Sequence, residues 1–323
     1  MNRRNFVNKT MLGIGLSAGI IPVSFLNRKE FVTAGVPENS GFKISVFSKN
    51  LQWLDYTGMA QTAAALGFDG VDLTVRPGGH VSPEHVSEDL PKAMDAVKKA
   101  GLNIFSIVTA IEDADDPLTE PILKTASALG IRHYRLGWFH YDGNVSIADN
   151  LQRIREKINK LEVLNARYGI AGCYQNHSGK YFGAAVWDLA QVLKEIHAKY
   201  TGSQYDVYHA SIEGANSWIY GFEAVAPYIK TVNIKDYQWT KKNGKWSTES
   251  VPLGTGAIDF DTYFSLLKKF NISCPLSVHY EYPLGTADQG GRTLTIEKEK
   301  VLEAMKKDLQ FLKLKMKQNG LTQ

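Results

Sequence analysis

From residue 42 to its end the chain alternates short apolar runs with longer amphipathic stretches, eight times over. The short runs are FKISVFS, GFDGVDLTV, LNIFSIVTA, RHYRLGWF, GIAGCYQNH, SQYDVYH, IKTVNIKD and PLSVHYEY. Between them lie segments such as LDYTGMAQTAAALG and AAVWDLAQVLKEIHAKY, and the last run is followed by IEKEKVLEAMKKDLQFLKLKMKQ. Leu189, Val192, Leu193 and Ile196 recur at helical spacing, and several of these segments end in glycine, at Gly67, Gly101, Gly130 and Gly169, where a left-handed cap suits. Each pair of runs is therefore a βα unit. Alternation of this kind implies a parallel sheet covered by helices. Eight units over about 280 residues match a closed (β/α)8 barrel, the TIM-barrel architecture of the α/β class, better than a doubly wound sheet. No G-x-G-x-x-G opens the first helix, which removes the main sign of a dinucleotide fold. Residues 36–323 are expected to form this one domain, with WTKKNGKWSTESVPLGTGAIDF as a long hairpin loop over the mouth after the seventh strand.

Residues 1–35 read as an address instead. Arg3 and Arg4 precede Phe6 and Lys9, and then comes MLGIGLSAGIIPVSFL, a pattern like a bacterial twin-arginine signal that implies export to the periplasm. A membrane anchor is the alternative, but Pro22 and the glycines interrupt a run shorter than the roughly 20 apolar residues that a span requires. Five basic residues against Glu30 give this segment a charge of +4, the formal charge of the whole chain. Residues 36–323 are then near neutral, so no cationic face for nucleic acid is expected. Cys173 and Cys274 fall in apolar runs, without metal-binding spacing, and read as free buried thiols.

In such a barrel the reactive groups sit at the C-terminal ends of strands. The fifth run closes with Gln175, Asn176 and His177, the sixth with Asp206 and His209, the seventh with Asn233, Lys235 and Asp236, the eighth with His279 and Glu281. One polar strand end is ordinary. Four in succession place carboxylates at one mouth, where they repel and lose hydration unless a cation or a hydrogen-bond network compensates.

QYDVYHASIEG, VNIKDY, PLGTGAIDF and SVHYEY carry a resemblance to the xylose isomerase-like barrels, which include sugar and sugar-phosphate isomerases and epimerases and the endonuclease IV type of repair enzyme. The resemblance implies a divalent metal held by Glu, Asp, His and Glu from strands five to eight. Asp206 and Glu281 match the second and fourth of these ligands, while Gln175 and Asn233 stand in place of the first and third. His209 matches a histidine that contacts substrate. Gln and Asn supply neutral oxygens, so this set would hold Zn²⁺ or Mn²⁺ less firmly; Mg²⁺ or Ca²⁺, or recruitment of His177, His209 or His279, stay open.

An amide cannot exchange protons, so Gln175 removes one half of a two-glutamate epimerase mechanism. Glu281 remains as a base, His209 or His177 as its partner, and Lys235 to stabilise an enediolate oxygen. Trp138, Trp239, Tyr237 and Trp218 can stack on sugar C–H groups, while Arg76 and His80 of RPGGH, and Arg292, can meet polar or anionic groups. The expected activity is isomerisation or epimerisation of a free or glycosidic keto-sugar. Elimination or hydrolysis of a keto-glycoside is the alternative, and so is carbohydrate binding alone. A repair-type nuclease would need a larger His and Glu set and a basic face.

Overall fold

The computed structural model describes residues 42–321; the expected signal segment lies outside the described residues. In chain order the elements are β1 (Lys43–Phe47), α1 (Tyr56–Leu66), β2 (Gly70–Thr74), α2 (Val86–Lys99), β3 (Asn103–Val108), α3 (Thr119–Ala128), β4 (His133–Arg135), α4 (Ile147–Tyr168), β5 (Ala171–Gln175), α5 (Val186–Ile196), β6 (Thr201–Asp206), α6 (Val207–Gly214), α7 (Trp218–Val225), β7 (Ile229–Ile234), β8 (Asp236–Lys242), β9 (Lys245–Val251), α8 (Phe260–Lys269), β10 (Pro275–Val278) and α9 (Lys298–Gln318). Eight parallel strands close into a barrel in the order β1, β10, β7, β6, β5, β4, β3, β2. This is the (β/α)8 fold. Among the described residues no helix is long and apolar enough to cross a membrane.

Local chemistry explains the helix ends. Asp55 accepts from Gly58 N at 2.7 Å to start α1, and Ser146 accepts from Asp149 N at 3.1 Å to start α4. Both helices stop at glycines with positive φ, Gly67 at 93° and Gly169 at 60°. The apolar alternation predicts a sixth strand running on to His209, but the strand ends at Asp206. Its carboxylate caps α6, accepting from Tyr208 N at 3.1 Å and His209 N at 3.4 Å.

Along each barrel strand alternate residues face opposite sides. Tyr134, Tyr174, Tyr205 and Tyr280 are fully buried on the helix side. The Tyr134 hydroxyl donates to Asn165 of α4 at 2.8 Å, the Tyr280 hydroxyl to Met305 O of α9 at 3.0 Å, and the Tyr205 ring meets Phe222 of α7 at 5.0 Å. Their chain neighbours Arg135, Gln175 and Asp206 are thereby turned inward, and with Glu281, just past the end of β10, they give the barrel a polar interior at its C-terminal end.

The insertion after the seventh barrel strand is the antiparallel pair β8 and β9. Asn243 and Gly244 join them with φ of 51° and 78°, the left-handed pair a tight hairpin needs. Its return is clamped by Asp236, whose carboxylate accepts from Tyr237, Gly254, Gly256 and Ile258 N at 2.8–3.2 Å. A Cβ on Gly256 would lie 2.3 Å from Asp236 Oδ1, so only glycine passes there.

Candidate active site

Lys235 stands at the centre of the mouth, fully buried. Its Nζ lies 3.0 Å from Glu281 Oε2, 3.3 Å from Asp206 Oδ2 and 2.8 Å from His209 Nε2, and over the Tyr208 ring at 4.8 Å. Residues from β6, α6 and the segments after β7 and β10 thus meet around one ammonium. Burial opposes the charge on each, but the charges answer one another. Lys235 is held above the ordinary lysine range by Asp206 and Glu281 against burial. Asp206 is likewise held below the usual carboxylate range: burial pushes it up, and Lys235, His209 and His279 together overcome that. For Glu281, burial is overcome by Lys235, His279 and Lys49, and the carboxyl falls well below that range. The Glu281 side chain, 29% exposed, keeps a face open to the mouth.

Gln175 is oriented by its neighbours. Arg135 Nη1 donates to its Oε1 at 3.0 Å, and a guanidinium can only donate, so the amide nitrogen must face the other way. It donates to Asp206 Oδ2 at 2.8 Å. Asp206 is then saturated: Oδ1 caps α6, and Oδ2 serves Gln175 and Lys235. Asn176 also braces it, exchanging hydrogen bonds of 2.9 and 2.8 Å with the Asp206 backbone.

These residues do not fit a divalent metal. Of the four positions that the resemblance implies, Asp206 has no free oxygen, Gln175 presents N–H to the site, and Asn233 is neutral, buried and without a protein partner. Glu281 shares one oxygen with the ammonium. Among the described residues no cluster of three His, Cys, Asp or Glu is placed to hold a metal.

The histidines differ in what they offer. His209 Nε2 faces a donor-only ammonium, so it accepts, and its Nδ1 donates to Ser178 Oγ at 2.9 Å. Both ring nitrogens are engaged. His177 packs on it at 3.8 Å with its ring tilted by 35°, and directs Nδ1 to Ser178 O at 2.9 Å; a carbonyl only accepts, so the lone pair is on Nε2. Burial, then Lys235, holds His177 below the ordinary histidine range. His177 and not His209 therefore carries an uncommitted basic nitrogen. His279 stacks on Phe47 at 4.2 Å and brings Nδ1 within 3.8 Å of Glu281 Oε1.

The remaining expected residues fall in three groups. Trp138 belongs to the site, with the Arg135 guanidinium over its ring at 4.5 Å and His177 against it at 4.8 Å. Arg76 lies over Phe47 at 5.7 Å, on the β1 side of the mouth. His80 instead ties the loop after β2 to β1: its N donates to Thr74 Oγ1 at 2.8 Å and its Nδ1 lies 3.2 Å from Ser48 Oγ, while burial brings its pKa to about 4. Arg292 is a similar clip, donating to Gly79 O at 3.1 Å. Trp239 stands on β8, half exposed, and touches Tyr237 at 6.2 Å. Trp218 is corrected: it opens α7 and packs on Tyr263 at 6.4 Å, on the helix side of the barrel.

Three contributors escape the sequence pattern. Arg135 orients Gln175; its signal is the second arginine of RHYRLGWF, set among apolar residues. Lys49 approaches Glu281 Oε1 at 3.9 Å. Asn50 braces the backbone beside Glu281, with Nδ2 donating to Tyr280 O at 2.7 Å and Tyr280 N donating to Oδ1 at 3.2 Å.

Residues 60–313, more than half of the chain, match the family model described as xylose isomerase-like TIM barrel. Among solved structures, D-allulose 3-epimerase from Methylomonas sp. superposes with a TM-score of 0.63 at 18% identity, covering 85% of this chain and 98% of that one. The 3-keto-D-glucoside 4-epimerase of E. coli gives 0.62 at 15% identity, covering 84% and 99%. A xylose isomerase-like TIM barrel protein from Mycobacterium smegmatis, in complex with magnesium, gives 0.59 at 15%, covering 83% and 97%. At such identities the likeness is one of fold. No curated protein matches the chain in sequence. With its closed eight-stranded barrel and the span of that family match, the chain belongs to the xylose isomerase-like TIM barrel family.

Proposed function

We propose that the protein moves a proton next to the carbonyl of a free or glycosidic keto-sugar, in an isomerase or epimerase reaction. The observation that carries this reading is the 3.0 Å contact between Lys235 Nζ and Glu281 Oε2, which sets a fixed positive charge beside an ionised base. A carboxylate held so far below its usual range is always ionised and correspondingly a weak base. It suits a carbon acid that its own ketone has already acidified. As Glu281 takes the α-proton, the carbonyl oxygen gains charge, and the ammonium beside the base stabilises it. His177 Nε2 supplies the second proton-carrying group, and Trp138 gives an apolar face for sugar C–H groups. The likeness to sugar epimerases supports the substrate class.

Gln175 favours a second reading. With one carboxylate of the expected pair replaced by an amide, a single base working by elimination from a keto-glycoside needs no partner on the opposite face. One experiment separates the two. The protein is incubated in deuterated water with a panel of ketoses and keto-glycosides, and products are followed by NMR. Deuterium in an isomerised or recovered sugar supports proton transfer; release of the aglycone with an unsaturated ketone supports elimination. Sugar binding with neither outcome across the panel sinks both.

A further inference from the structure

The family implies a divalent cation at the point where Lys235 bridges Asp206 and Glu281. We propose that the Lys235 ammonium is a built-in substitute for that ion, so that the protein polarises its substrate oxygen without a metal. Nζ stands 3.3 Å from Asp206 Oδ2 and 3.0 Å from Glu281 Oε2, on the same oxygens that a metal would need. A metal bound to them at roughly 2.0–2.6 Å would press against the ammonium in a buried site, where two cations repel strongly. The surrounding substitutions agree with this exchange. Gln175, held by Arg135, turns an N–H to Asp206 where a ligand oxygen would be needed, and Asn233 has no charge to give.

An ammonium differs from a metal in having three directed hydrogens. Here hydrogen bonds run to Glu281 and His209, and Asp206 is paired through charge at 3.3 Å. The imidazole is the neutral acceptor of the three, so it is the contact that a developing oxyanion displaces at least cost. The polarising role rests on the proton-transfer reading; exclusion of the metal does not.

The test uses the full-length protein, stripped with a chelator and titrated with Mn²⁺ without sugar. Bound ion is followed by electron paramagnetic resonance and stability by thermal melting. The expected result is no stoichiometric Mn²⁺ and an unchanged melting midpoint at millimolar ion. One equivalent bound by the native protein and lost in Asp206→Asn would overturn the proposal. The reciprocal variant, Gln175→Glu with Asn233→His and Lys235→Met, removes the ammonium and restores both missing ligands. It is expected to bind one Mn²⁺ and to melt several degrees higher with the ion than without. A folded triple variant that binds none also counts against Lys235 as the excluding group. If that variant fails to fold, the native titration still decides. A positive Mn²⁺ result leaves the deuterium experiment intact, so the two readings fail separately.

Discussion

Around Lys235 the balance of charge turns on single atoms. Glu281 and Asp206 share one ammonium, and removal of either partner from a buried pair leaves the other uncompensated, at a cost of about 3–5 kcal/mol where burial is complete. Glu281 is partly open, and Lys235 keeps Asp206 when Glu281 is neutralised. Glu281→Gln is therefore expected to fold, to lose about 1–2 kcal/mol in denaturant unfolding, and to lose deuterium exchange by about 10²–10⁴-fold. Exchange that survives this change removes Glu281 as the base. His177→Gln is expected to retain the Lys235 contacts while slowing reprotonation, because His177 touches the cluster through the His209 ring rather than through Lys235. The same change at His209 has a different expected outcome. Its Nε2 accepts from Lys235 and its Nδ1 donates to Ser178, so His209→Gln perturbs the position of the ammonium itself.

At the scale of elements, the hairpin β8–β9 owes its place to one carboxylate. Four backbone N–H groups converge on Asp236, and Gly256 passes against it with no room for a side chain. Gly256→Ala is expected to cost about 1–3 kcal/mol by overpacking, read as a lower denaturation midpoint with an unchanged slope. An unchanged midpoint would mean that the loop relaxes freely. The eight barrel strands are legible along the chain because strand and helix periods differ, and Gly67 and Gly169 mark where helices stop. The start of α6 is not legible. In QYDVYH the alternation runs on past Asp206, and the strand ends there because that carboxylate caps the next helix through Tyr208 and His209 N. The strand-end position of Gln175, Asp206, Lys235 and Glu281 can be read along the chain. That Lys235 is their cation cannot, because it depends on how β6, β7 and β10 lie beside one another. Arg135 stays hidden for the same reason: its partner is on the neighbouring strand.

Over the whole molecule, the barrel is closed on its outside by α9, and that helix carries an acid whose state depends on folding. Asp308 is buried, accepts from the Tyr282 hydroxyl at 3.0 Å, and is pushed up to about 7 by burial, with Asp236 adding to the rise. In an unfolded chain the same carboxyl titrates near 3.8. Between these values the folded state binds more protons, so unfolding releases them and stability falls as pH rises. The contribution of Asp308 is thus fully present below the unfolded value and is lost as pH climbs through about 7. Other carboxylates, Asp206 among them, have the opposite sign, so the overall profile does not isolate Asp308. The difference between native protein and Asp308→Asn does. Asparagine can still accept from Tyr282 but does not titrate. Relative to the native protein, the variant is expected to gain about 2–4 kcal/mol between pH 4 and pH 8, a tenfold change in proton affinity being worth about 1.36 kcal/mol. Denaturant unfolding across that range measures it. A difference that stays constant with pH would show that Asp308 remains ionised in the fold, and that Tyr282 and the surrounding backbone solvate it better than its burial implies.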